Sequence, residues 1–487
     1  MLYKINEKVN CIKQHYIDLS PPVKAALWFT ICSIIQKGIS LMSIPIFTRI
    51  LTTEQYGTYS LYQSWYDIVK LFATLNIYAA VFNNGMVKFE NDRDRFTSSM
   101  QGLTTTITVM LFILYIITNN FWNNVSGLST LLIVVMFIDL IFSTSYSFWA
   151  ARQRFDYKYK KLVVITLFIA IASPLLGIVA VMLTDYKAEA RVISFALVQI
   201  LVGLVIYFLI WKKGKSFFVK KYWQYAVAFN IPLIPHYLSL IVLQQSDRLM
   251  IGRLVSAEKA AIYSIAYSVS TIMVIVTTAI NNSLVPYTYK SIKDKEYCGL
   301  RKSVNSILLF VAIICLLVMV FAPEVIKIFA TKEYYEAVWI IPPVAASVYF
   351  MFLYPVFSNV SFYFEENKFI MIASCVGAIL NLILNYIFIP IFGYITAGYT
   401  TLICYILFGI AHYFCYKKVI KKNLKCSNIY DIRFICIVSV FLLISMFFML
   451  FIYKFTVLRY SLIVLIIILI IYKRKDVVNQ IKRLRNK

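Results

Sequence analysis

The sequence predicts an all-α integral membrane protein, and three observations predict it. The chain is 61% hydrophobic and only 14% charged over 487 residues, where a soluble domain carries about a quarter charged residues. Its apolar residues fall into about fourteen stretches near the ~20 residues that a bilayer-spanning helix needs. Its Lys and Arg gather in every second gap between those stretches. Such a chain crosses a membrane many times and leaves no length for a separate soluble domain.

The spans are read at 24–47, 57–82, 98–118, 128–150, 161–183, 191–211, 224–250, 257–285, 303–322, 338–364, 369–390, 395–416, 432–453 and 457–472. With the N-terminus placed in the cytoplasm, the cytoplasmic segments hold Lys4, Lys8, Lys13 and Lys24, then Lys88, Arg93 and Arg95. They continue with Arg152, Arg154, Lys158, Lys160 and Lys161, then Lys212, Lys213, Lys215, Lys220 and Lys221. Lys290, Lys293, Lys295, Arg301 and Lys302 follow, then Lys368, then Lys417, Lys418, Lys421, Lys422, Lys425 and Arg433, and a basic tail from Lys473. The opposite loops hold only Arg49, Lys187, Arg191, Arg248, Arg253, Lys259, Lys327, Lys332, Lys454 and Arg459. This bias puts both termini in the cytoplasm and makes the number of spans even.

The net charge of +26 does not point to nucleic acid, because the cations are spread over many loops and form no single patch. Residues 1–22 lack the apolar core and cleavage site of a signal peptide, so the first span serves as its own insertion signal. The nine cysteines form no C-x-x-C pair. They lie within spans or on the cytoplasmic side, so neither disulfides nor a metal site is expected.

An internal repeat orders the spans. The stretch from Arg49, RILTTEQYGTYSLYQS, aligns with the stretch from Arg253, RLVSAEKAAIYSIAYS, about 204 residues later. Arg49 meets Arg253, Glu54 meets Glu258, Tyr59 meets Tyr263, and Ser60 and Ser64 meet Ser264 and Ser268. Six spans separate the copies, so both have the same orientation, as in parallel repeats related by an axis along the membrane normal. The implied organisation is a six-helix lobe at 1–211, a second at 222–416, two further helices within 431–473 and a basic cytoplasmic tail at 474–487.

Polar residues inside spans are expensive and face a protein interior or a wet cavity. The first span carries Ser33, Gln36, Lys37, Ser40 and Ser43 on one face, with no acidic residue within a turn of Lys37. The second carries Tyr59, Gln63, Tyr66, Asp67 and Lys70 on one side, and Asp67 and Lys70 have the spacing of an ion pair. The fourth carries Asp139, Ser143, Tyr146 and Ser147, and the seventh ends in Gln244, Gln245, Asp247 and Arg248. These residues line a cationic, aromatic cavity in the first lobe, or serve packing alone. His236 and His412 read as packing residues. Pro45, Pro174, Pro232, Pro235, Pro342, Pro343 and Pro355 interrupt the spans and bend them.

Asp92-x-Asp94 matches a metal–nucleotide motif of sugar transferases, but it stands in a short loop with no domain around it and reads as a solvated charge run. No P-loop, G-x-S-x-G or H-E-x-x-H is present. No enzyme, no cofactor and no direct use of ATP is expected.

The segment Ser43 to Trp65, SIPIFTRILTTEQYGTYSLYQSW, resembles the first-loop motif of bacterial polysaccharide flippases of the Wzx type. These belong to the superfamily of multidrug, oligosaccharidyl-lipid and polysaccharide exporters. Asn230 to Ser268 resembles their helices seven and eight, with its prolines, Ser-Asp-Arg and Ile-Tyr-Ser. Leu380 to Tyr405 resembles their turn between helices 11 and 12. The family's Gly-x-x-Gly-Ala-Ala reads here Gly393-Tyr394-Ile395-Thr396-Ala397-Gly398, a departure in that third motif.

The resemblance implies a V-shaped bundle like that of MATE transporters, two six-helix lobes plus two helices, and ion-coupled alternating access. The implied substrate is an undecaprenyl-diphosphate-linked oligosaccharide, moved from the inner to the outer leaflet of the bacterial cytoplasmic membrane for O-antigen, capsule or another envelope polymer. Implied partners are membrane lipids and the polymerase and export machinery. Lys and Arg suit a diphosphate and aromatic faces suit sugars. Lys37, Arg49, Lys70, Arg248, Tyr59, Tyr66 and Trp65 are therefore the candidate substrate residues, of which Arg49 and Arg248 match motif positions. Asp67, Asp139 and Asp247 are the candidates for ion coupling.

Two other readings compete. A multidrug antiporter of the same superfamily wants an acidic cavity for cationic drugs, against the basic lean of the first span. A membrane polymerase carries a large outer loop with catalytic arginines, whereas the longest outer loop here spans about 322–336.

Overall fold

The computed structural model describes residues 21–78, 80–364, 366, 368–424, 429–461, 463 and 464, which contain helices and no strand. The chain folds as two units, Met1–Ala261 and Ile262–Lys487. Among the described residues, twelve helices are long and apolar enough to cross a membrane, and the chain is a multi-pass membrane protein. Each of them overlaps a span read from the sequence. The span at 57–82 is a helix too polar to join them. The span at 457–472 lies mostly outside the described residues. So do the tail 474–487, Lys4, Lys8, Lys13, Lys425, Cys11 and Cys426.

The first unit contains α1 (Pro21–Ile50), α2 (Thr53–Thr74), α3 (Ala80–Lys88), α4 (Arg93–Ile117), α5 (Asn119–Ser126), α6 (Thr130–Phe155), α7 (Tyr159–Met182), α8 (Lys187–Gly214), α9 (Lys220–Asn230) and α10 (Ile234–Leu254). α8 is the hub: α6, α7 and α4 all pack on it, and α1 lies along α7. α2 runs against α10, α8 and α4. Close approach depends on small residues. A Cβ on Gly203 of α8 would stand 2.3 Å from the Phe142 carbonyl of α6. Helices in a membrane gain packing in this way, because burial from lipid drives little association.

α2 starts at a reciprocal cap: Gln55 N–H donates to Thr52 Oγ1 at 3.2 Å and Thr52 N–H donates to Gln55 Oε1 at 3.0 Å. It stops short of the expected 82, because Leu75 and Asn76 take left-handed φ of 46° and 53°. Such backbone costs a non-glycine residue about 1 kcal/mol or more. Two hydrogen bonds hold it, Asn230 Nδ2 to Leu75 O at 2.9 Å and Asn76 N–H to Thr74 Oγ1 at 3.2 Å. The span at 224–250 is likewise divided: α9 gives way to a 3-10 turn, Ile231–Leu233, before α10. Pro232 and Pro235 deny that stretch the N–H groups an unbroken helix needs. Pro45, Pro174 and Pro355 lie inside helices. Pro342 and Pro343 do not bend one; they sit in the first turn of a helix, where the missing N–H has no partner to lose.

The second unit contains α11 (Ala257–Lys293), which begins at the unit boundary, α12 (Tyr297–Val320), α13 (Ala322–Phe329), α14 (Ile341–Tyr363), α15 (Lys368–Phe392), α16 (Thr396–Asn423) and α17 (Ile432–Ile452). α14 is its axis, apolar on every side and buried along most of its length. α16 packs most extensively on α14, with α12 and α17 on other sides. Tyr349, Phe352 and Val356 of α14 meet Leu308 and Cys315 of α12, Tyr416 of α16 and Leu442 of α17 in one core. The repeat copies share local structure. Arg49 and Arg253 close α1 and α10, and Glu54 and Glu258 stand in the first turns of α2 and α11.

Candidate functional site

α2 is too polar to span a membrane on its own apolar surface, so its polar groups must be answered by neighbours. They are answered within the first unit. Gln245 of α10 donates through Nε2 to Asp67 Oδ2 at 2.7 Å. Gln245 Oε1 accepts from Ser64 Oγ at 3.0 Å and from Arg248 Nη1 at 2.8 Å. One glutamine thus links the acid of α2 to the cation of α10. Asp67 therefore takes its hydrogen bond from Gln245 and makes no ion pair with Lys70. The Lys70 ammonium lies over two rings instead, 5.8 Å from the centre of Tyr66 and 5.6 Å from that of Tyr78.

A turn away, Tyr66 OH and Ser143 Oγ of α6 are 3.2 Å apart. Beside them lies Asp139, fully buried next to Tyr66 and Ser143 and in no ion pair among the described residues. Asp139 sits about 14 Å along α6 from its start, at the 1.5 Å rise of a helix. A lone carboxylate so placed costs several kcal/mol.

The third part of the seam was not singled out from sequence. Arg191, assigned there to an outer loop, stands inside α8 and is 5% exposed. Its guanidinium lies 3.7 Å from the ring centre of Phe47 and 4.6 Å from that of Tyr59. Its Nη2 donates to Tyr59 OH at 3.4 Å, while Nε and Nη1 have no hydrogen-bond partner among the described residues. The available signal was Tyr59 itself, a ring on the same face as Asp67 with no cation near it in sequence.

The seam thus gathers Tyr59, Tyr66, Asp67, Lys70, Asp139 and Arg248 of the candidate residues. Lys37 is exposed midway along α1, without a hydrogen bond or ion pair among the described residues. Arg49 is exposed at the end of α1 and donates to the Pro45 carbonyl at 2.5 Å. Trp65 faces elsewhere. It lines an apolar cavity of about 290 Å³ with Phe72, Leu111 and Phe137. Asp247 is buried. Asp92 accepts from Tyr222 OH at 3.0 Å and Asp94 lies 3.7 Å from Arg152, so both have structural partners.

The second unit holds another polar cluster that the sequence reading passed over. Asn385 Nδ2 donates to Asn381 Oδ1 at 3.3 Å, Asn381 Nδ2 donates to Thr401 Oγ1 at 3.1 Å, and Thr400 donates to Asn385. All four are buried between α15 and α16. Its signal was an Asn-x-x-x-Asn spacing, which puts both amides on one helix face.

The family described as polysaccharide biosynthesis protein matches residues 23–292, more than half of the chain, and the MatE family matches residues 232–387. Lsg locus putative protein 1 of Haemophilus influenzae is 26% identical over 204 residues, 39% of this chain and 50% of that protein. The chain thus spans about half the length of the curated relative it matches. Among solved structures, the lipid II flippase MurJ in an inward closed conformation matches 93% of this chain and 100% of its own, with a TM-score of 0.66 and 17% identity. An inward-facing multidrug resistance MATE family transporter matches 83% and 100%, with a TM-score of 0.65 and 12% identity. These likenesses show that the chain shares the fold of those proteins. The chain belongs to the polysaccharide biosynthesis protein family.

Proposed function

We propose that the protein is a flippase for undecaprenyl-diphosphate-linked oligosaccharide, moving repeat units from the inner to the outer leaflet of the bacterial cytoplasmic membrane by ion-coupled alternating access. One observation carries this: within the helices of the first unit Lys70 lies over Tyr66, Arg191 lies against Phe47 and Tyr59, and Arg248 is tied through Gln245 to the same seam. Cations answer a diphosphate and aromatic faces answer sugars. Lys37 and Arg49 are further exposed cations of the first unit that this reading assigns to the same anion, and Trp65 adds an aromatic surface apart from the seam. Asp139 is the coupling residue of first choice, since it is a fully buried carboxyl in no ion pair among the described residues. Asp67 and Asp247 are the alternatives. Both termini lie in the cytoplasm on this proposal, and 1–211 and 222–416 are the two repeat lobes.

The MatE match favours a second reading, a multidrug antiporter. The cations of the seam oppose it, because they repel cationic drugs. Lipid analysis of cells lacking the protein separates the two. Flippase function predicts complete oligosaccharide units held on diphosphate carrier in the inner leaflet. Unchanged lipid-linked intermediates together with drug sensitivity would favour the antiporter.

A further inference from the structure

Outside the seam, α6, α7 and α8 enclose a groove of about 1080 Å³ with two chemically distinct ends. One end is basic: Lys158, Lys160 and Lys161 at the start of α7 and Lys213 in the last turn of α8. No acidic residue lines the groove. The nearest counter-charge is Asp156, 3.3 Å from Lys158. Lys160, Lys161 and Lys213 are exposed and have no ion pair among the described residues. The α7 N-terminus adds its free N–H groups to the same end, since Lys158 provides no side-chain cap. The remainder is apolar. Val164 and Phe168 of α7 form one row, and Leu201, Val205 and Leu209 of α8 form another, each at four-residue spacing. These five side chains are 49–68% exposed. Tyr157 and Tyr159 flank Lys158 at the basic end and Trp149 also lines the groove, as aromatic residues do at a membrane interface.

We propose that this groove binds an anionic glycerophospholipid: its phosphate lies among Lys160, Lys161, Lys213 and the α7 N-terminus, and its acyl chains lie along the two apolar rows. Charge complementarity selects the headgroup, and two adjacent rows accommodate two chains where a polyprenyl carrier offers one. The basic end is the end that the loop charges assign to the cytoplasm. The site is independent of transport, so its failure leaves the flippase proposal untouched.

The test is native mass spectrometry of the purified full-length protein titrated with phosphatidylglycerol, phosphatidylcholine or undecaprenyl phosphate. The expected result is retention of phosphatidylglycerol over phosphatidylcholine. The triple variant Lys160→Gln, Lys161→Gln, Lys213→Gln should weaken it about tenfold or more. Val205→Trp, which fills the apolar rows and keeps the lysines, should weaken it as well. Lys290→Gln, Lys293→Gln, Lys295→Gln, a triple change away from the groove, should not. Equal binding of phosphatidylcholine, unchanged binding in both groove variants, or equal loss in the control would overturn the proposal. Undecaprenyl phosphate displacing phosphatidylglycerol at equal concentration would overturn the assigned occupant.

Discussion

At the residue scale, the first unit holds an exposed cation on α1, Lys37, and a cation stacked on aromatic rings, Arg191. Lys37 is exposed and has no hydrogen bond or ion pair among the described residues, so Lys37→Ala should abolish glycan export at unchanged protein abundance, read by surface glycan staining beside an immunoblot. Normal export would remove Lys37 from the mechanism. Arg191 is wedged between Phe47 and Tyr59 and serves packing as well, so its loss would confuse the two effects. Asp139 offers a cleaner test. Asp139→Asn keeps the shape and removes a buried charge that has no ion pair among the described residues. Its melting temperature should stay level or rise, while the pH or sodium dependence of transport in vesicles disappears. A lower melting temperature with intact ion dependence would make Asp139 a structural group. The acids and tyrosines of this seam were legible from helical spacing. Their partners were not, because Gln245 lies 178 residues from Asp67 in sequence and Arg191 reads as a loop charge until α8 is seen to enclose it.

At the element scale, apolar length and loop charge located nearly every helix, because the bilayer imposes one length on all of them. What spacing missed was interruption. The stop after Thr74 carries no glycine or proline, and it is fixed by Asn230 from another helix. The break in the span at 224–250 was legible, because its prolines have a local effect. Helix proximity was invisible in sequence but is testable. Gly203→Ala would force a Cβ toward the Phe142 carbonyl and should destabilise the protein by about 1–3 kcal/mol, as overpacking does. Thermal unfolding in detergent measures this, and an unchanged melting temperature would show that α6 and α8 yield at that contact.

For the whole molecule, the charge pattern and the family make a joint claim about sidedness. Single cysteines introduced at Ser216 and at Asn124 should behave oppositely toward a membrane-impermeant maleimide in intact cells: Asn124→Cys labels, and Ser216→Cys labels only after lysis. Reversed labelling would invert the topology and with it the direction of transport. The central claim is flipping itself. The most direct measurement follows the leaflet position of diphosphate-linked oligosaccharide in proteoliposomes that hold only this protein, using an enzyme or lectin confined to one side. Movement of the substrate across the bilayer that depends on the protein, and that fails in Lys37→Ala, is the predicted result. A substrate that stays on its original side with folded wild-type protein and an imposed ion gradient would contradict the account.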